Sequence, residues 1–191
     1  PEEDVIRHAQ RDEAVALLQE AERPVFLAGG GVIRGEAWEA LRKAAMRHQV
    51  PVATTLMGKG AFPETDPLAL GLVGMHGTPT ANLALSNADL VVAVGTRFSD
   101  RSTGRRELFA PRARVIHADR DPSELGKNVG VHLGLVGEAR TVLEAFAAPP
   151  LDLDDAPRGV GEPGVREDEV GAAGAPLGLA LDLKASLVQV K

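Results

Sequence analysis

The sequence predicts an α/β domain of three layers, αβα, with helices covering both faces of a parallel sheet. Three observations lead there. Short apolar runs alternate with segments of helical period across residues 1–150. The run Leu90-Val91-Val92-Ala93-Val94 carries no polar alternation, as a strand covered on both faces requires. Glycines and charged groups follow the predicted strands directly, at 29–31, 95–101 and 119–121. Ligands of such sheets lie beyond the carboxyl ends of the strands.

Taken in order, residues 5–21 read as an opening helix and 24–28 as a short buried strand. Residues 35–48 place Trp38, Leu41, Ala44 and Ala45 on one face, which suits a helix. Residues 50–54 form the next strand, with Pro51 near its start, where a missing N–H costs least. A helix over 78–87 has Thr78 as its cap and Pro79 at its first position. Strands follow at 90–94, 114–118 and 131–136. The helix 138–147 closes the series, with Ala139, Val142, Leu143 and Phe146 facing inward.

The chain changes character near Pro149-Pro150. All the Phe and Trp residues precede that point, and the segment 151–191 is rich in Gly, Pro, Asp and Ala until about Pro176. Such a segment cannot offset its ordering entropy by burial. The expected organisation is therefore a cofactor-binding domain over 1–150 and a disordered, flexible tail over 151–191. The stretch 177–190 is left open between a helix and a loosely attached strand. The start at Pro1-Glu2-Glu3 without Met points to a piece of a longer protein.

Bulk composition removes several function classes. The net charge of -6 gives no footing for nucleic acid or an anionic membrane, and the arginines form no stripe. The absence of Cys excludes disulfides, thiolate chemistry and Cys-based metal sites. No stretch reaches the roughly twenty apolar residues that span a bilayer. With no signal peptide visible, a cytoplasmic protein is expected.

The candidate site residues sit at the predicted strand ends. Gly29-Gly30-Gly31 allows a tight turn and a close ligand approach. The nicotinamide dinucleotide fingerprint is not met, because its sixth position is Arg34 and Thr54-Thr55 end the second strand in place of an acid. Gly30 and Gly31 therefore stand between ligand contact and a plain turn. Leu56 and Met57 are apolar in a loop. They serve either as a wall against a flat ring or as a surface buried under a neighbouring loop or subunit. In Gly74-Met75-His76-Gly77 the imidazole can donate a hydrogen bond or stack on a ring; a solvated or structural role is the alternative. No second His, Asp or Glu stands at metal-ligand spacing from it. Arg97 and Arg101 follow the most apolar strand. Forked guanidiniums suit a pyrophosphate. Arg97 is assigned to an anion, and Arg101 stays open between an anion and pairing with Asp100 or Glu107. Asp119 is read as an acceptor for ribose hydroxyls. Asp121 is read first as a helix cap ahead of Pro122 and second as a ligand group. No Ser-His-Asp set, P-loop lysine or acid–base pair accompanies these groups.

In order and spacing, five segments resemble the central domain of acetolactate synthase large subunits, thiamine-diphosphate enzymes of branched-chain amino acid biosynthesis. They are Arg23-Pro24-Val25 leading into Gly29-Gly30-Gly31-Val32, the run from Pro51 to Pro63 (PVATTLMGKGAFP), Leu72-Val73-Gly74-Met75-His76-Gly77-Thr78, the run from Gly95 to Gly104 (GTRFSDRSTG), and the run from His117 to Asn128 (HADRDPSELGKN). The resemblance covers about Arg23 to Phe146. It implies a six-stranded parallel Rossmann-like sheet, of the deoxyhypusine-synthase-like NAD/FAD-binding type, that holds FAD in a mostly structural role. By position, the flavin meets Leu56, Met57 and the turn Gly74, Met75, His76, Gly77. The phosphates lie near Gly30, Gly31 and Arg97, with Arg101 close by, and the ribose and adenine approach Asp119 and Asp121.

The resemblance also implies that the whole enzyme joins pyruvate-derived two-carbon units to a 2-keto acid on thiamine diphosphate and Mg²⁺. That chemistry needs an activating Glu on an N-terminal domain and a Gly-Asp-Gly motif on a C-terminal domain, neither of which this chain carries. Those two domains are its expected partners, in a homo-oligomer, and the isolated chain is expected to be inactive. The alternatives are the matching domain of glyoxylate carboligase or another thiamine-diphosphate enzyme, and a non-catalytic dimerisation module.

Overall fold

The computed structural model describes residues 8–148. The segment 151–191 and the start of the opening helix lie outside the described residues. The order is α1 (His8–Glu20), β1 (Pro24–Ala28), α2 (Gly30–Arg34), α3 (Trp38–His48), β2 (Val52–Thr54), β3 (Ala69–Leu72), α4 (Pro79–Asn87), β4 (Leu90–Val94), α5 (Asp100–Thr103), β5 (Arg114–Asp119), β6 (Leu133–Val136) and α6 (Ala139–Ala147). Three 3₁₀ turns, Leu56–Gly58, Arg106–Leu108 and Pro122–Glu124, join them.

The six strands form one sheet in the order β3-β2-β1-β4-β5-β6, and every neighbouring pair is parallel. Strand periodicity divides the side chains between two cores. Phe26, Ala28, Val92, Val94, Ile116, Ala118 and Leu135 face α1, α3 and α6, whereas Val25, Leu27, Val91, Ala93 and Val115 face Ala81, Ala84 and Leu85 of α4. All five residues of β4 are buried, which confirms the reading of that run as covered on both faces. The four inward residues expected on α6, Ala139, Val142, Leu143 and Phe146, are all buried.

Local chemistry sets the element ends. The Thr78 hydroxyl accepts from the Ala81 amide at 3.1 Å and donates to the Leu70 carbonyl at 2.8 Å, so the cap of α4 also ties that helix to β3. Pro79 follows at the first helical turn, as expected. The Asp89 carboxylate accepts from the Glu22 and Arg23 amides at 2.8 and 2.9 Å and so fixes the entry to β1 beside β4.

Four expectations are corrected. The residues gave no strand at 69–72; Gly71, at φ +92°, interrupts the apolar run there and hides its strand character. The helix expected over 35–48 begins only at Trp38, because the chain turns at Gly35 and at Glu36 with φ +49°, and a separate short helix, α2, precedes that turn. Trp38 is 41% exposed, because Ala37, Ala40 and Leu41 take the inward positions of that turn. The helix expected after Asp121 is a single 3₁₀ turn.

Candidate functional site

The chain runs from β1 outward to β2 on one side, while β4 continues to β5 on the other. The sheet thus has a switch point between β1 and β4, where two neighbouring loops diverge and leave a crevice at the carboxyl edge. The crevice here is a cleft of about 270 Å³, bounded by Gly31, Arg34 and Gly35 after β1, Gly95 and Arg97 after β4, Asp119 at the end of β5 with Arg120, Asp121 and Glu124 beyond it, and Gly137 to Ala139 after β6.

Its floor is backbone. The Gly29 amide donates to the Val94 carbonyl and the Gly31 amide to the Gly95 carbonyl, each at 2.9 Å. A Cβ on Gly31 would lie 2.6 Å from the Gly95 Cα, and one on Gly29 would fall on the Gly95 carbonyl oxygen. These glycines let two loops interlock. Gly30 is buried against Met57, whose Cβ a side chain at Gly30 would meet at 3.0 Å.

The twelve candidate residues separate into two groups along the same sheet edge. Gly31, Arg97, Asp119 and Asp121 line the cleft, and Gly30 lies beside it. Leu56, Met57 and the 74–77 turn follow β2 and β3, outside the cleft. Leu56, Met57 and Met75 are strongly exposed, at 68%, 70% and 72%, so no loop among the described residues covers them. His76 is exposed as well. The 74–77 turn packs on α5: the Met75 amide donates to the Arg101 carbonyl at 3.0 Å, and Asn82 exchanges two hydrogen bonds with the Gly74 peptide. Arg101 therefore belongs to the second group, and the two guanidiniums do not share the cleft.

Charges within the cleft are mixed. Arg97 is 76% exposed in its side chain, and its Nε stands 4.0 Å from Glu124 Oε1, at the limit of an ion pair. The same oxygen is held by Lys127 at 3.1 Å. Arg120 pairs with Glu138 at 3.4 Å at the rim. Asp119 has a structural job that the sequence did not reveal: its Oδ1 accepts from the Asp121 amide at 3.0 Å. Asp121 caps the next turn as expected, accepting from the Ser123 amide at 2.9 Å. Hydrogen bonding to Ser123 holds its carboxyl below the ordinary carboxylate value.

Sequence reasoning missed Arg34, Arg120, Glu124, Gly137 and Glu138 as cleft residues. The signal for Gly137 and Glu138 was present, since they follow a predicted strand as the other groups do. It also gave no role to His117, which is fully buried with Nε2 2.8 Å from the Thr96 carbonyl. Burial lowers the pKa of His117, and likewise of His48, from the ordinary value of 6.5, against the opposing effect of their backbone hydrogen bonds. Both residues favour the neutral form in the fold. Their contribution to stability is complete above pH 6.5 and is lost as pH falls from that unfolded-state value toward the lower folded ones. The urea midpoint is expected to drop between about pH 7.5 and about pH 5.5, above the carboxylate range. An unchanged midpoint would contradict this account of the two imidazoles, one buried and one half-buried.

Among the described residues no group of three or more His, Cys, Asp or Glu side chains could hold a metal ion, and no helix is long and apolar enough to cross a membrane.

Comparison with known proteins agrees with this architecture. The family model described as thiamine pyrophosphate enzyme, central domain, matches residues 11–146. A probable acetolactate synthase large subunit of Methanocaldococcus jannaschii is 52% identical over 145 residues, covering 76% of this chain and 24% of the relative. An acetolactate synthase large subunit of Parasynechococcus marenigrum is 47% identical over 145 residues, with the same coverage of 76% and 24%. An acetolactate synthase of Mycobacterium bovis is 51% identical over 136 residues, covering 71% of this chain and 22% of the relative. The chain thus spans about a quarter of the length of the first two relatives.

Proposed function

The chain belongs to the thiamine pyrophosphate enzyme central-domain family, and from that premise we propose that residues 1–150 are the middle domain of an acetolactate synthase large subunit, with a cleft that holds the diphosphate of FAD. One observation carries the reading. At the switch point an exposed guanidinium, Arg97, faces a cleft with a backbone floor, and its carboxylate neighbours, Glu124 at 4.0 Å and Asp121 farther off, do not engage it closely. A forked cation so placed suits a diphosphate. Asp119, in the same cleft, offers carboxylate oxygen to a sugar hydroxyl. The volume, about 270 Å³, is the size of part of a dinucleotide and not the whole. The exposed Leu56, Met57 and Met75 would then flank the flavin ring further along the edge.

FAD in this setting would supply a flat ring and a diphosphate that tie the loops together. The Mg²⁺ that accompanies thiamine diphosphate would find no acidic cluster among the described residues. In this reading both bind regions of the longer protein, the N- and C-terminal domains that the chain would meet in a homo-oligomer. Condensation of pyruvate into 2-acetolactate, the inactivity of this chain alone, its cytoplasmic location and a separate tail over 151–191 belong to the same proposal.

The test is titration of the chain with FAD and with ADP. Arg97→Ala is expected to weaken both by about tenfold to a hundredfold, the loss of a charge-assisted pair. Equal affinity in the variant would remove Arg97 from the phosphate role. The glycine interlock favours a second reading, a structural dimerisation module without nucleotide. Native mass spectrometry that finds dimers and no bound nucleotide at saturating FAD would select it.

A further inference from the structure

We propose that His117 and Asn128 are positioning residues that clamp the turn after β4 and thereby aim Arg97 into the cleft; this rests on the reading of the cleft as a diphosphate site. The turn needs holding. Gly95 sits at φ +61° and Phe98, which is not glycine, at φ +49°. A non-glycine residue in that region is strained and persists where its surroundings enforce it.

Two side chains from separate segments take the two consecutive carbonyls between those residues. His117 on β5 reaches the Thr96 carbonyl at 2.8 Å, and Asn128 Nδ2 donates to the Arg97 carbonyl at 2.8 Å. A carbonyl oxygen can only accept, so the imidazole hydrogen lies on Nε2. The other ring nitrogen, Nδ1, is buried with no hydrogen-bond partner among the described residues. The imidazole also meets the Phe98 ring edge-on, with centroids 4.8 Å apart, and Phe98 in turn meets Phe109 at 5.5 Å. The turn is therefore gripped from β5 and from the loop before β6 at once.

Arg97 gains its direction from this grip. Its side chain is 76% exposed, and the carboxylate nearest to it, Glu124 at 4.0 Å, is engaged more closely by Lys127. A contact at that distance and exposure fixes little. The backbone sets where the guanidinium starts, and a turn ordered before the ligand arrives avoids an ordering cost on binding.

The experiment uses the 191-residue chain and ADP as the probe, with wild type, Asn128→Ala, Arg97→Ala and the double variant. Asn128→Ala is expected to fold as wild type and to bind ADP about tenfold more weakly. In the Arg97→Ala background the same change is expected to cost nothing further, since the clamp acts through Arg97. His117→Leu repeats the test from the other grip, and amide exchange at Gly95 and Phe98 is expected to quicken in both variants. Wild-type binding with unchanged affinity in Asn128→Ala overturns the clamp and leaves the cleft reading intact. Additive losses in the double variant also overturn it, because Asn128 would then act apart from Arg97. Absence of ADP binding in wild type overturns the cleft reading, and the clamp falls with it.

Discussion

Gly29→Ala is expected to lower the free energy of unfolding by about 3 kcal/mol or more, the upper end of what overpacking one position costs. The new methyl would fall on the Gly95 carbonyl oxygen and 2.7 Å from the Thr96 Cα. All of these are backbone atoms, and no rotamer change can clear them. The colliding loop is also pinned, because the Gly29 amide donates to the Val94 carbonyl and the Gly31 amide to the Gly95 carbonyl. A smaller effect of opposite sign comes from the unfolded chain, which loses about 0.4–1 kcal/mol of freedom when Gly becomes Ala. The steric term outweighs it. Gly60→Ala is the control: it combines φ +91° with open space within 4 Å, so its cost is limited to backbone strain, about 1 kcal/mol. Urea unfolding followed by the fluorescence of Trp38, the sole Trp of the chain, measures both. Equal costs at the two positions would refute the interlock of the β1 and β4 loops.

The same glycines show how far the sequence could be read. Their place after a strand was legible from the apolar run before them, and so was the edge of the sheet where polar groups gather. What they touch was not, since a glycine records that space is short without recording who fills it. Gly29 and Gly31 make room for Gly95, a residue more than sixty positions away that is brought alongside by pairing of β1 with β4. Strand β3 escaped for a related reason. It contains Gly71, lies at the sheet edge and is held by Thr78 of the next helix, so tertiary contacts stand in for propensity. Trp38 misled because a wide aromatic at a helix start was counted as an anchor, whereas the small Ala37 and Ala40 let α3 approach the sheet. Arg97 could be picked from its place after β4. The grip on its backbone could not, because His117 and Asn128 lie 20 or more residues further on and reach back through the fold.

Phe146→Ala is expected to cost about 3–5 kcal/mol, the range for truncating a buried aromatic side chain. Phe146 is 2% exposed at the end of α6 and meets Phe26 of β1 edge-on, with centroids 5.9 Å apart and planes at 83°. Phe26, at 0% exposure, is flanked in the sheet by Val52 and Val92, which leaves little room for collapse into the vacated volume. The bond from His48 Nε2 to the Phe146 carbonyl is a backbone contact and survives the change, so the loss measures packing. A cycle with Phe26→Ala is expected to show coupling of about 0.5–1.5 kcal/mol, the worth of an edge-to-face pair beyond its buried area. Additivity within a few tenths of a kcal/mol would mean that the two rings are buried side by side without a specific interaction. The consequence reaches the cleft, since α6 follows directly on Gly137 and Glu138 and its Ala139 lines the wall. A chain that ends before Phe146 would keep every cleft residue in its sequence, yet lose the ring that anchors α6 against the central strand. The domain therefore has to extend past the last residue of its own site.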